Sequence, residues 1–408
     1  MNSTFAFLAA PALAAPALPQ ADYNDIWARS NGTSTIDELT SVDADGAGGT
    51  YVAGFSFGAL AGSSAGGPDA TLLRLDAAGF ELWSVQFGSS GADIIIDVAC
   101  DDAGHVFTVG TTSGAVGSGS LGGSDAFVAC WSSDGLLLWI EQVGTVGNDV
   151  GFSVLPDGVG GCLLAGSTTG DFGGMNAGAD DLFVARVNSA GAVTSVVQLG
   201  SAGEDDSPGL ASDGAGGYFL SARTDGALGG PNAGLFDAFL ARFDSSDTML
   251  WSQQFGSAQS DSSWALSPDD VGGVFVCGTA GGTLAGPHGG GTDGVVGRFD
   301  SAGNAVFLNQ TGTADSETAV GLAWDPARGR LYVVGSWTLN FQNEDDAYLS
   351  VFEADGTLLQ QRNFGEFMRD LAVDVAPTGA GGAVVAGFGF SDFGGVNEGL
   401  TDPFVARF

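Results

Sequence analysis

Seven acidic residues recur along the chain at a fixed stride. Asp37, Asp93, Asp149, Asp205, Asp261, Glu317 and Asp370 are 56 residues apart, with one interval of 53, and each stands five residues after a glycine. If the chain closes into a ring of repeats, these carboxylates surround the mouth of a central channel. Crowded there, they would repel one another and either hold protons or recruit a cation such as Ca²⁺ or a basic group. A second role needs no ligand, because an Asp at the head of a strand accepts hydrogen bonds from the backbone N–H groups of the preceding turn. Sevenfold repetition is what any structural residue of a repeat shows, so the second role is the more economical.

A further candidate lies where the repeat breaks. The segment Ser336-Trp-Thr-Leu-Asn-Phe-Gln-Asn-Glu-Asp-Asp346 is shortened and polar, and it carries Trp337 beside Glu344, Asp345 and Asp346. An aromatic platform with neighbouring acids suits a sugar. Elsewhere, glycine-rich stretches such as Gly170-Asp-Phe-Gly-Gly-Met-Asn-Ala-Gly178 offer Asp and Asn to Ca²⁺ or a glycan, but none has the spacing of a known calcium loop. Their recurring Leu or Phe (Leu60, Leu121, Phe172, Leu228, Leu284, Phe393) reads as a plug that tucks each loop onto its own repeat. No GxSxG, HExxH or P-loop occurs, and the two histidines, His105 and His288, lie in different repeats. No cofactor is implied beyond the Ca²⁺ that the acid ring would admit.

Charge narrows the partners. The 408 residues include 48 acids against 11 basic residues, all Arg, for a net charge of −37. A nucleic-acid backbone needs basic contacts that this chain does not have, and an anionic membrane surface is disfavoured for the same reason. Four cysteines (Cys100, Cys130, Cys162, Cys277) show no CxxC pairing and read as buried small hydrophobes. Residues 1–21 are rich in Ala and Pro and end in an Ala15-Pro16-Ala17 pattern like that of a signal peptide, although no basic residue precedes Arg29. Export is therefore expected, and no stretch is long and apolar enough to span a bilayer as a helix.

The element that must position these residues is a repeat. Asp-Ala-Phe-Val-Ala-Arg-like hexamers begin at Asp69, Asp125, Asp181, Asp237, Asp293, Asp346 and Asp402, and glycines end a second, often Trp-bearing segment at Gly32, Gly88, Gly144, Gly200, Gly256, Gly312 and Gly365. Both series count seven and share the same three-residue deletion, so the repeat is internal and real. Within the second unit, four segments are rich in β-branched and aromatic residues: Asp93–Cys100, His105–Gly110, Asp125–Trp131 and Leu137–Val143. Gly and Asp at the turns supply the positive φ of tight hairpins. Four-stranded antiparallel meanders repeated seven times predict an all-β, seven-bladed β-propeller over residues 22–408. The chain stops after a third strand while residues 22–32 match a fourth, so the N-terminal strand is expected to complete the last blade and close the ring.

The Asp-Ala-Phe-Val-Ala-Arg strand, the Asp-x-x-Gly turn and the Trp-x-x-x-x-Gly strand together resemble the bacterial seven-bladed β-propeller repeat family known as SBBP repeats. The resemblance covers residues 22–408 and departs at Ser195, Phe307 and Gln360, which stand where Trp is the rule. It implies a secreted or cell-surface protein with no assigned activity. The expected function is a monomeric, non-enzymatic binding module that takes a protein or glycan through its loop-bearing face. A Ca²⁺-dependent carbohydrate-binding protein and a carbohydrate-active enzyme are the alternatives.

Overall fold

Alternating apolar side chains and Gly/Asp turns give seven four-stranded antiparallel sheets arranged as the blades of a propeller. The structure is a computed structural model that describes residues 27–30, 32–339, 344–365, 368–378 and 381–408. The leader, residues 1–21, and the start of the closing segment, residues 22–26, lie outside the described residues. Blades 1 to 6 run in chain order, each as four consecutive strands. In blade 2 these are Asp93–Cys100, His105–Thr112, Asp125–Ser132 and Leu137–Val143, within two residues of the sequence expectation.

Each first strand packs against the first strands of both neighbouring blades and so lines the central channel. Each fourth strand is outermost, and in blades 1 to 5 it starts with exposed residues. Between blades lie the apolar cores. Phe127, Ala129 and Trp131 of blade 2, for instance, pack on Tyr51, Ala53 and Leu72 of blade 1.

Blade 7 is built from both ends of the chain. Asp370–Pro377, Ala383–Gly389 and Asp402–Arg407 are joined by Trp27–Ser30, which pairs antiparallel with the last strand in the register Trp27 with Arg407 and Ser30 with Phe404. The N-terminal strand therefore closes the ring as expected, and Trp27 Nε1 donates to Ala77 O of blade 1 at 3.1 Å. That bond belongs to a recurring lock. Trp83 and Trp251 likewise reach the turn of the following blade, donating to Ser133 O (2.9 Å) and Ser301 O (3.0 Å). The indole then lies flat on a turn glycine. At Gly135, φ is 79° and an added Cβ would stand 2.8 Å from the Trp83 ring, so only glycine fits.

Two sequence expectations need correction here. The plug of blade 2 is Val116, whose side chain packs in the core between blades 1 and 2, whereas Leu121 is exposed. Val116 N is also the group that Gln142 Oε1 receives, as Gln198 receives Phe172 N and Gln254 receives Leu228 N in the next blades. In blade 6 the shortened segment is not a loop carrying a platform. Its flanking strands lengthen instead, to Arg330–Leu339 and Glu344–Phe352, and Trp337 sits within the ladder opposite Asp346 and Glu317. No helix among the described residues is long and apolar enough to cross a membrane.

Ring closure generates a test. A chain lacking residues 1–32 leaves Asp402–Arg407 unpaired on one side and should aggregate or melt several degrees lower, while a chain lacking residues 1–20 should melt like the full protein. Thermal melts of the two truncations decide it, and equal stability of the longer deletion would refute strand donation.

Candidate functional site

The seven acids stand at the heads of the innermost strands, as their spacing requires, but they do not converge. Every one is at most 8 % exposed, and the six from Asp37 to Glu317 accept hydrogen bonds from the turn that precedes them. Asp93 shows the pattern: Oδ2 accepts from Ser89 N at 2.6 Å, and its two oxygens also receive the hydroxyls of Ser89 and Thr112. Asp37 is held by Thr33 and Ser56, Asp149 and Asp205 by Thr145 and Ser201, and Glu317 by Thr313. Asp261 takes Ser257 Oγ at 2.8 Å, and Asp370 takes Ser391 Oγ at 2.7 Å. Burial pushes the carboxyls of Asp205, Asp261 and Glu317 above their ordinary range, with a smaller contribution from the third-strand acid of the preceding blade. Six of the seven carboxylates thus serve as acceptors for the link between blades, and no group of three or more acids, His or Cys among the described residues is arranged to hold a metal ion.

A second series of acids, the Asp that opens each third strand, clamps the loops. Asp125 Oδ2 accepts Leu121 N at 2.9 Å and Gln142 Nε2 at 2.7 Å, and the same amide donates to Gly114 O. The arrangement recurs with Gln86, Gln198, Gln254 and Gln310, always 17 residues after the Asp. Between this Asp and the next blade's acid lies the glycine that ends the outer strand. A Cβ on Gly88 would meet Asp69 Oδ1 at 2.3 Å and Asp93 Oδ2 at 2.9 Å.

Trp337 and its acids do not form a cleft either. Trp337 is half-buried with its indole nitrogen enclosed and unpartnered, so its ring is no open platform. Asp345 is buried and paired to Arg369, and the Glu344 side chain lies outside the described residues. The two histidines stay apart, His105 against Asp101 (2.8 Å) and His288 near Asp293 (3.4 Å). All four cysteines are free thiols, and burial pushes Cys130 up to about 12 and the other three higher still, which leaves them unreactive.

The constellation that sequence reasoning missed lines the channel. Every first strand carries a β-bulge one or two residues after its strand-head acid, and the residue just past the bulge comes within reach of the neighbouring blade. In chain order those residues are Ser41, Asp97, Ser153, Gly209, Ala265, Gly321 and Asp374. Four of them are polar and consecutive around the ring, forming an arc over blades 7, 1, 2 and 3. Asp374 Oδ2 accepts Val42 N at 2.9 Å, and Asp97 Oδ2 accepts Val154 N at 2.9 Å. Between them, Ser41 Oγ lies 2.8 Å from Asp374 Oδ2 and 2.9 Å from Asp97 Oδ1.

One hydroxyl proton cannot serve two carboxylate acceptors at once. Either contact beyond the first requires a proton on an acid. Enclosure by protein does raise both groups, Asp97 to about 6 and Asp374 to about 7, the charge of Asp97 adding to the burial of Asp374. The arc can therefore hold one proton between two acids near neutral pH. The only sequence signal for it is a repeat position that alternates between acid, hydroxyl and no side chain, which periodicity counts do not reveal.

No protein-family model matches the chain, and no curated protein matches it in sequence. Solved structures match its shape. The Neurospora crassa Pan2 WD40 domain superposes with a TM-score of 0.54 at 11% identity, over 94% of this chain and 94% of that one. A PL25 ulvan lyase with bound -[GlcA(1-4)Rha3S]- gives a TM-score of 0.52 at 13% identity, over 91% and 97%. At such identities the likeness is one of fold, and it agrees with the propeller read from the repeat.

Two outcomes follow from these geometries. Asp149→Ala removes the acceptor for Thr145 N and should cost about 1–3 kcal/mol in denaturant unfolding, a loss that millimolar Ca²⁺ does not reverse. For Asp97 and Asp374 the folded pKa lies above the ordinary unfolded value near 3.8, so the fold binds protons that the unfolded chain has released. Their contribution is fully present below about pH 4 and is lost as pH rises through about 6 to 7. The melting temperature should accordingly fall by a few degrees between pH 5 and pH 8, and Asp374→Asn, which mimics the protonated acid, should flatten that slope. A slope unchanged in this variant would remove the proton from the arc.

Proposed function

We propose that the protein is a secreted or cell-surface binding module, of the kind the SBBP-repeat resemblance implies, and that it engages its partner through the loop-bearing face without catalysis. The observation that carries this reading is an exposed apolar patch on that face at the junction of blades 7 and 1. Phe57 (47 % exposed) and Leu400 (65 %) flank the link between the blades, where Phe57 N donates to Ile36 O and Leu400 N to Thr35 O, both at 3.0 Å. Phe390 and Met368 are exposed at the neighbouring link, between blades 6 and 7, where Phe390 N donates to Arg369 O at 2.9 Å. Large apolar side chains fixed by backbone hydrogen bonds on a polar face mark a contact surface.

Across the ring, the same face is acidic. Glu204 and Asp206 pair with Arg223, Asp180 stands near Asp206, and the carboxyls of Asp180 and Glu204 are raised by burial and by the neighbouring charge of Asp206. A surface that offers both exposed apolar side chains and a cluster of acids suits a protein segment bearing apolar and basic side chains, more than a bare polysaccharide. The channel acids, the buried strand-head carboxylates and the enclosed thiols leave no nucleophile and base paired in an open cleft among the described residues, which supports a non-catalytic role.

The test is capture by the immobilised full chain from a library of extracellular proteins and from a glycan array. A specific protein partner should be retained by the wild type and lost by Phe57→Ser/Leu400→Ser, two exposed substitutions expected to leave the melting temperature within about a degree. Release of unsaturated or shortened sugar products from any polysaccharide would overturn the non-enzymatic reading, and retention unchanged in the double variant would move the contact off this patch.

A further inference from the structure

The seam between blades 7 and 1 differs from the other blade interfaces in its interior as well as its face. In five of the other six blades the third strand sends a large ring into the gap towards the preceding blade: Phe127, Phe183, Phe239, Tyr348 and Phe404 are all buried there, Phe127 edge-on to Phe87 at 5.9 Å, while blade 5 has Val295. In blade 1 the corresponding residue is Thr71, buried with its hydroxyl unpartnered. Leu73, where most blades carry Ala or Gly, restores only part of the missing bulk.

What remains is a cavity of about 270 Å³. Its floor is aliphatic and buried, made of Leu39, Val52, Leu73, Leu75 and Val405. Its mouth is marked by three exposed residues, Arg29, Phe80 and Glu81. Arg29 makes no ion pair among the described residues. Its Nη1 donates to Ala28 O at 3.2 Å, and its guanidinium carbon lies 4.9 Å from the centre of the Phe80 ring. Glu81 is engaged with Ser84 Oγ at 2.7 Å. Most other arginines, by contrast, are spent on carboxylates, as Arg74 is on Asp45 and Arg242 on Asp213.

We infer that this seam cavity is a binding site for a medium-chain aliphatic carboxylate, its chain in the Leu/Val pocket and its head group on Arg29. An aliphatic cavity of roughly 150 Å³ stays dry and takes up benzene, so this one holds a chain of roughly eight to ten carbons. Occupancy replaces empty volume by contacts at every floor residue, which is favourable without any rearrangement. The head group selects an acid over a neutral chain because a guanidinium with free donors at the cavity mouth accepts a carboxylate bidentately, and that pairing persists against the protein's overall negative charge because it is short-ranged.

Isothermal titration and thermal shift of the full chain with decanoate and with decanol test the assignment. The wild type should bind decanoate saturably below its micelle concentration, raise its melting temperature, and prefer decanoate to decanol several-fold. Arg29→Gln should reduce the affinity for decanoate to that for decanol. Leu73→Phe and Val405→Phe fill the cavity by separate routes, and either one, once its melting curve shows it folded, should abolish binding of both ligands. No saturable binding to the wild type, or undiminished binding in a folded filling variant, overturns the cavity as the site. Equal affinity of the wild type for the acid and the alcohol overturns the role of Arg29.

Discussion

The fold depends on a carboxylate hidden at the head of every innermost strand. Each link between blades must leave the outer strand of one sheet, cross to the channel wall and turn into the next sheet, and its backbone N–H groups are out of reach of any ladder. The acid five residues on satisfies them, as Asp93 does for the turn at Ser89. The third-strand Asp does the same for the long loop above it, with a glutamine as its second hand. Acidity is thus partly an internal material of this protein. Thirteen of these two sets of acids are buried in the described structure, all but Asp346, so a net charge of −37 overstates what the surface presents. A strand-ending glycine is the third member of the set, since any Cβ at Gly88 would strike the carboxylates on either side.

Once the links are fixed, neighbouring blades are held by an outer lock whose chemistry is interchangeable. Where Trp83 lies on Gly135, a flat ring covers a turn that only glycine can make. Blade 3 lacks the Trp and has Ser195. Its partner turn lacks the glycine and has Asp247, at φ 62°, which receives Arg186 Nε at 2.9 Å. An ion pair across the gap replaces the stacked indole, and the change is coordinated on both sides of the interface. Blade 5 makes a milder exchange, Phe307 over Gly356 with Asn309 Nδ2 donating to Gly356 O. Of the three Trp-less blades noticed in the sequence, blades 3 and 5 are therefore complete interfaces.

The period, the four strands of each blade and the closure of blade 7 were legible because each depends on patterns that repeat or on where the chain stops relative to the pattern. Repetition also explains what was not legible. A residue kept seven times announces that it is needed but not for what, and the seven strand-head acids could be assigned to a ligand or to a backbone with equal fit to the spacing. Only burial and hydrogen-bond partners separate the two. The plug of blade 2 was misplaced at Leu121 because several small residues and one leucine share a glycine-rich stretch, and the contact that identifies Val116 comes from Gln142, distant in sequence. Trp337 looked like a loop aromatic because shortening a loop and lengthening its strands read alike until the ladder is seen.

Departures from the repeat carry more information than its conserved positions, and they gather at one place. Asp374 and Ser41 meet across the channel side of the seam between blades 7 and 1. Thr71 and Arg29 stand in its interior and at its rim, and Phe57 and Leu400 stand on its loop-bearing face. Beside this interface, the N-terminal strand and the last strand of the chain are joined inside blade 7. Its fourth strand is contributed by a short segment, Trp27–Ser30, rather than by a hairpin continuous with the blade, so the interface is held by fewer covalent constraints than the other six. A seam with weaker built-in cohesion tolerates residues that trade packing for other contacts. A cavity, an arginine without an ion pair among the described residues and exposed apolar side chains can therefore accumulate there without disturbing the hydrogen-bonded links that hold the rest of the ring.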